Sequence, residues 1–402
     1  MPGGIVRIGT LRGRIMQNRW LVLTVLFLAR VAMGFQFQAV PALSPLMIDT
    51  YSVDLTAIGF LIALYLSPGL FISFPGGAIG ARFGDKRVVV AGLVLMLLGG
   101  LVMALFPGWN AQVFGRLLAG VGGILLNVLM TKLVADHFSG REIATAMGIF
   151  VNSWPVGIAL ALIILPPIAT LAGLTTAMWF VVLVVLAALI LFVVFIRPPQ
   201  QTAAQLATGG NRIGRHALIG IAISGSIWGL YNAALSMVFG FGPAMLVERG
   251  WQMETAASAT SIVLWVAALS IPFGGLIADR LRRTQTVIAV SCLGFAATLV
   301  LAAETGSVTL IFALMGILGG LAPGPIMSLP SLVLGPQNRA MGMGIFYAIY
   351  YVYVVIGPIF AGFASDMFAT TRAAFHAGAG MLVAAVLLQI LFVAVARRQP
   401  DG

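Results

Sequence analysis

Gly76-Gly77-Ala78-Ile79-Gly80-Ala81-Arg82-Phe83, closed by the turn Gly84-Asp85-Lys86-Arg87, returns later in the chain as Gly274-Gly275-Leu276-Ile277-Ala278-Asp279-Arg280-Leu281, closed by Arg282 and Arg283. The second copy starts 198 residues after the first, at 274 against 76. Each copy ends a long apolar run on small residues and then delivers a basic cluster. A second pair of features repeats in the same way. Pro155 and Gly157 of the first half correspond to Gly357, Pro358 and Gly362 of the second. Weak internal symmetry between two halves made of long apolar helices is the pattern of secondary transporters.

The runs around these copies decide the environment. The chain is 60% hydrophobic and only 8% charged, with mean hydropathy +1.07. Soluble domains carry about 25% charged residues, so this chain cannot cover a soluble globule with polar surface. Apolar runs long enough to span a bilayer are expected at roughly 20–40, 57–80, 88–106, 110–134, 143–168, 173–196, 217–241, 256–278, 285–303, 307–334, 340–364 and 373–396. The longest polar stretch between them, Arg197 to His216, contains Pro198, Pro199, Gly209 and Gly210 and reads as a flexible linker. The expected division is therefore a six-helix bundle over 1–197, a cytoplasmic linker over 198–216 and a second six-helix bundle over 217–402.

Twelve spans put both termini on one side. Of 22 Lys and Arg residues, eighteen fall at the termini and even-numbered loops, two (Arg249 and Arg372) in odd-numbered loops, and two (Arg30 and Arg116) inside spans. Basic residues collect on the cytoplasmic side, so both termini and the linker are expected there, in a plasma or inner membrane. The same rule accounts for the net charge of +11, and nucleic acid is not expected as a partner. The N-terminal apolar stretch is too long for a signal peptide and no small-residue cleavage site follows it, so it reads as an uncleaved first helix. The single cysteine, Cys292, lies within an apolar run and says nothing about redox compartment.

On these residues the chain resembles the major facilitator superfamily over essentially its whole length. The turn after the second span is similar to that family's gate motif, Gly-x-Leu-Ala-Asp-Arg-x-Gly-Arg-Lys, through Gly77, Arg82, Gly84 and Lys86. Ala81 stands where the family has aspartate, and Asp85 where it has a basic residue. The second half keeps the acid at Asp279, beside Gly275 and Arg280. The resemblance implies that this acid helps latch the cytoplasmic side. Gln112-x-x-x-Arg116-x-x-x-Gly120-x-Gly122 is similar to the family's fourth-helix motif, whose arginine points toward the first helix and the central cavity. Pro155-x-Gly157 and Gly357-Pro358 are partial matches to the glycine-proline motif of exporters. Arg30 followed by Pro41-x-x-x-Pro45 is distantly similar to cyanate-type permeases. The nitrate-type branch needs arginines in the second and eighth helices, and neither is present. The resemblance implies an all-α fold of twelve transmembrane helices in two pseudo-symmetric six-helix bundles.

Arg30 and Arg116 are the chemical signal. A guanidinium at mid-bilayer costs about 2.5–3.5 kcal/mol on insertion scales and is seldom left without a partner. All eleven Asp and Glu residues are placed by the sequence in loops or at helix ends. Helical spacing puts Arg30 with Gly34, Phe37, Gln38 and Pro41 on one face of the first span, and Arg116 with Gly120, Gly123 and Asn127 on one face of the fourth. Ser224, Trp228, Tyr231 and Asn232 share a face of the seventh, and Tyr347, Tyr350, Tyr351 and Val354 one of the eleventh. The candidate substrate contacts are Arg30, Gln38, Arg116, Asn127, Trp228, Asn232, Tyr347 and Tyr351. Each has a structural reading beside the functional one: Arg116 as a clamp on neighbouring carbonyls, the tyrosines as packing, Gln36 or Gln38 as a helix contact. Asn152 either lines the path or supports a bend near Pro155. Gly319, Gly320, Pro323, Gly324, Pro325 and Pro330 make the tenth span either a close-packed helix or a bendable gate.

Arginine keeps its charge at any physiological pH and grips carboxylates through two parallel hydrogen bonds. The expectation is a secondary transporter for a small organic or inorganic anion, working by alternating access. An exporter of neutral or lipophilic compounds is the alternative, with the arginines structural. A receptor or scaffold without transport has no positive feature in its favour. No Ser/His/Asp set, no metal-ligand spacing among His137, His216 and His376, and no Gly-x-x-x-x-Gly-Lys loop occurs in the sequence. An enzyme, a metal site, a cofactor and an ATP drive are therefore not expected. The expected partners are the lipid bilayer and a small-molecule substrate, with the chain acting as a monomer.

Overall fold

The computed structural model describes residues 18–53, 55–140, 142–196 and 213–396. The linker expected over 198–216 lies outside the described residues up to 212, as do Arg141, Arg197, Arg212, Arg397 and Arg398. Among the described residues fifteen α-helices follow in order: α1 (Arg19–Tyr51), α2 (Leu55–Leu66), α3 (Gly69–Phe83), α4 (Asp85–Leu105), α5 (Trp109–Phe138), α6 (Ile143–Ala172), α7 (Leu174–Phe195), α8 (Arg215–Glu248), α9 (Met253–Leu281), α10 (Thr284–Glu304), α11 (Val308–Gly320), α12 (Pro323–Ser328), α13 (Pro330–Val333), α14 (Arg339–Met367) and α15 (Arg372–Ala396). Among the same residues there is no strand, and twelve spans are long and apolar enough to cross a membrane. They coincide with the twelve expected from the sequence.

The differences lie in the ends and interruptions. α1 runs eleven residues past the expected end at 40, to Tyr51. Its ladder stops only at Ser52, left-handed at φ 52°, which donates its N–H to the Ile48 carbonyl. α8 likewise continues to Glu248, and Gly250 at φ +86° ends the turn beyond it. Apolar residues bound the membrane slab, whereas hydrogen bonds bound the helix, so the two ends need not agree. The second span breaks at Ser67-Pro68 into α2 and α3, and the tenth breaks into α11, α12 and α13. Lys132, read from the sequence as a loop residue, lies inside α5.

Two units group the described residues: those within 18–138 with those within 153–196, and those within 139–152 with those within 213–396. α6 is thus shared, its start belonging to the second unit. In the first unit α4 and α5 form the most extensive pair. Small residues bring their backbones together, as membrane helices require in place of a hydrophobic drive. A Cβ at Gly99 would fall 2.4 Å from the Gly115 carbonyl oxygen, and one at Gly122 would fall 2.3 Å from that of Gly92. An apolar core of Phe35, Leu43, Met47, Leu61, Leu165 and Met178 packs further along this unit. In the second unit α8 packs on both α14 and α15, and α9 on α11.

Helix ends are tied by side chains. Asn18 accepts from the Trp20 N–H at 3.0 Å and starts α1. Lys86 donates to the Val193 carbonyl at 3.1 Å, at the end of α7. Arg249 donates to the carbonyls of Thr305 (2.8 Å), Ala302 (2.9 Å) and Ala303, closing the end of α10. These carbonyls lack intrahelical donors and a cation is their natural partner.

Candidate functional site

Four clusters hold the residues singled out by the sequence. The first is built on Arg30. Its position on α1 is buried, with 7% of the residue exposed, and its Nε–H donates to Asn127 Oδ1 on α5 at 2.9 Å. An amide oxygen orients a guanidinium without cancelling its charge. Asn127, which helical spacing places on the Arg116 face of α5, is thus the partner of Arg30. Gly34, one turn along, lies against α6. A Cβ there would sit 2.8 Å from the Trp154 carbonyl oxygen, and one at Gly157 only 2.3 Å from that of Val31. Beyond Gly34 the Phe37 ring meets the Trp154 ring at 5.1 Å and the Tyr65 ring at 5.6 Å. Gln38, the next residue of α1, is half-buried. Gln36 donates to the Met96 carbonyl at 2.9 Å, so of the two amides it is the packing one.

Arg116 is 1% exposed and spends its donors on backbone. Nε reaches the Leu61 carbonyl at 3.1 Å, Nη1 that of Gln36 at 2.9 Å and Nη2 that of Phe37 at 2.7 Å. Its guanidinium carbon also lies 4.5 Å from the Tyr65 ring centroid and 5.5 Å from that of Phe37. Three carbonyls on two helices match the fork of a guanidinium, and this geometry is a clamp joining α1, α2 and α5. Gly120 serves the same junction, because a Cβ there would meet the Tyr65 carbonyl oxygen at 2.5 Å. Gln112 donates to the Met103 and Phe106 carbonyls at 2.9 and 3.3 Å and secures the turn between α4 and α5.

The third cluster is aromatic and belongs to the second unit. Trp228 stacks on Tyr231 at 5.7 Å and 9°, and on Tyr350 at 6.0 Å and 25°. Tyr347, Tyr350 and Tyr351 meet edge-on or tilted, the closest pair at 4.8 Å. Asn232 donates to the Trp228 carbonyl on its own helix at 2.8 Å. Tyr231 donates to the Gly319 carbonyl at 2.9 Å. Pro323, four residues on from Gly319, has no N–H to offer that oxygen, which takes the Ala322 N–H at 3.2 Å beside the Tyr231 hydroxyl. Tyr231 therefore braces the break between α11 and α12, a role that the spacing of Tyr231 did not reveal but that Pro323 announces.

The fourth cluster holds the motif residues. Gly77 is buried in α3. Gly84, at φ +88°, makes the turn from α3 to α4, a conformation that suits glycine. Arg82 is exposed and lies over Phe83. Asp85, buried at the first turn of α4, pairs with Lys132, which also meets Asp136 at 3.0 Å. The sequence placed Asp85 at a helix end but gave no sign of this partner. In the second copy Asp279 accepts from the Thr145 N–H (2.7 Å), the Thr145 hydroxyl (2.6 Å) and the Ala144 N–H (3.3 Å). It thereby caps the first turn of α6 from α9. Gly275 allows the approach, since its Cβ would fall 2.2 Å from the Ala144 carbonyl oxygen. Arg280 is exposed. Gly357, followed by Pro358, meets Ala233 of α8, where a Cβ would leave 2.6 Å. Pro155 lies inside α6. Among the described residues no group of three His, Cys, Asp or Glu side chains has metal-binding geometry.

Residues 25–242 and 217–402 each match the family described as Major Facilitator Superfamily. The "Hexuronate transporter" of Bacillus subtilis (strain 168) is 24% identical over 95% of this chain and 96% of its own length. The "3-(3-hydroxy-phenyl)propionate transporter" of Escherichia coli (strain K12) is 28% identical over 94% and 96%. The crystal structure of the transporter FucP in its outward conformation superposes with a TM-score of 0.74 at 16% identity, covering 93% of this chain and 98% of that one.

Proposed function

We propose a small organic anion as the cargo of this chain, which belongs to the major facilitator superfamily and is a multi-pass secondary transporter, not an enzyme. The observation that carries the choice of cargo is Arg30. It is a buried cation on α1, oriented by the neutral Asn127 amide. A carboxylate arriving there meets fixed positive charge in a medium of low dielectric, where the attraction is far stronger than in water. Arg116 supports the reading differently. Its donors serve the Leu61, Gln36 and Phe37 carbonyls, so it contributes charge and rigidity rather than a grip on cargo. The two transporters named above support the same class, because a hexuronate and a phenylpropionate are both carboxylates.

Cargo crosses by alternating access, the two six-helix halves exposing it to one side and then the other. The test is uptake into proteoliposomes by wild type and by Arg30→Ala and Arg30→Lys. A folded Arg30→Ala protein is expected to lose at least tenfold in anion uptake, and Arg30→Lys to recover part of it. Undiminished uptake of an identified anion by Arg30→Ala would end this reading, and Arg30-independent uptake of a neutral compound would support the exporter instead.

A further inference from the structure

Resting on that reading of Arg30, the remaining question is what the rest of the anion looks like. The two relatives part company here, one being named for a sugar acid and the other for an aryl acid. A sugar acid brings several hydroxyls, and each left unpaired on burial is costly. An aryl acid brings a ring face, which asks for aromatic neighbours.

The surroundings of Arg30 within the first unit offer the second kind of contact. Phe37 lies seven residues along α1, about 10 Å up the axis and on the same face as Arg30. Its ring packs with Trp154 at 5.1 Å. Both rings are only partly buried, whereas Tyr65 behind them is fully enclosed. Arg116 holds this stretch of α1 still through the Gln36 and Phe37 carbonyls. The amides nearby are buried and already engaged: Gln36 lies buried with its amide nitrogen on the Met96 carbonyl, and the buried Asn127 gives its Oδ1 to Arg30. Gln38 is the one further amide on this stretch of α1. We infer that the cargo is an aryl carboxylate, its charge met by Arg30 and its ring by Phe37 and Trp154.

The experiment compares 3-phenylpropionate, galacturonate and acetate as probes in thermal-shift and proteoliposome uptake assays. The expected result is stabilisation and uptake with 3-phenylpropionate, and responses at least tenfold weaker with the other two. Phe37→Leu and Trp154→Leu each raise KM for 3-phenylpropionate by about threefold to tenfold, the size of one aromatic contact, with kcat retained. Trp154→Phe, which keeps a ring face, restores most of the loss. Galacturonate or acetate matching 3-phenylpropionate, in an Arg30-dependent way, overturns the aryl assignment and leaves the anion reading standing. Unchanged KM in Phe37→Leu and Trp154→Leu together overturns it too, and if Trp154→Leu does not fold, unchanged KM in Phe37→Leu alone does so. No response to any of the three carboxylates overturns both.

Discussion

Two arginines of the same apparent kind turn out to have different surroundings. Arg30 counts a side-chain amide oxygen among its contacts, and Arg116 is fastened to three carbonyls and backed by two rings. In the sequence both are cations in apolar helices, because periodicity reports which face a residue occupies and not which atoms lie opposite. The clamp depends on carbonyls of Gln36, Phe37 and Leu61; Pro41, four residues after Phe37, marks one of the three as lacking a helical donor, and the side-chain pattern does not mark the other two. Arg116→Lys tests the distinction. An ammonium cannot reach three diverging carbonyls with the geometry of a planar fork, and the Phe37 carbonyl, which Pro41 four residues on has no N–H to serve, costs about 1–3 kcal/mol when left unpaired. The purified variant is expected to melt several degrees below wild type, yet to keep the KM of whatever anion proves to be carried. A raised KM with an unchanged melting temperature would make Arg116 a cargo contact after all.

At the level of the element, helix ends and helix breaks are where side chains act on backbone. The tenth span is legible in the sequence as Gly- and Pro-rich, and it does break, between α11 and α12. What the pattern does not say is who supports the break. Tyr231 from α8 serves the Gly319 carbonyl, and Ser291 from α10 serves that of Leu318. Gly274 of α9 closes on the same place, its Cβ falling 2.1 Å from the Leu321 carbonyl oxygen. Tyr231→Phe removes one brace without changing shape, and it is expected to cost about 0.5–1.5 kcal/mol of stability, read as a lower melting temperature with substrate affinity unchanged. Asp279 is the parallel case at a helix start. Its carboxylate takes two backbone N–H groups at the first turn of α6, which are orphans there, and its charge suits the positive end of the helix dipole. Asp279→Ala is expected to lose about 0.5–2 kcal/mol and Asp279→Asn less, since an amide oxygen still accepts. Equal losses in the two would mean that the charge, not the hydrogen bonds, carries the effect.

For the whole molecule, the internal repeat and the twelve apolar runs suffice for the architecture, because a bilayer leaves few ways to satisfy a backbone. The repeat also conceals a difference. Asp279 caps a helix, whereas its counterpart Ala81 has no side-chain oxygen with which to do so. The acid of the first copy stands four residues later, at Asp85, and pairs with Lys132 instead. Such replacements are chemistry that a repeat search reads only as mismatch. Orientation remains the one global property argued from charge alone. Eighteen basic residues lie at the termini, in even-numbered loops or, like Lys132, in the helix turns that lead into them, against two in odd-numbered loops. One of those two, Arg249, is occupied with the carbonyls that end α10. Membrane insertion retains Lys and Arg on the cytoplasmic side, so the turn after α9 is expected in the cytoplasm and the turn after α10 outside. The native Cys292 is buried, which leaves introduced thiols as the accessible ones. In intact cells a membrane-impermeant maleimide is expected to label Ser307→Cys, at the exposed start of α11, and to reach Arg280→Cys only after the membrane is opened. The opposite order of labelling would invert the molecule and, with it, the face on which Asp279 and Gly275 hold the start of α6.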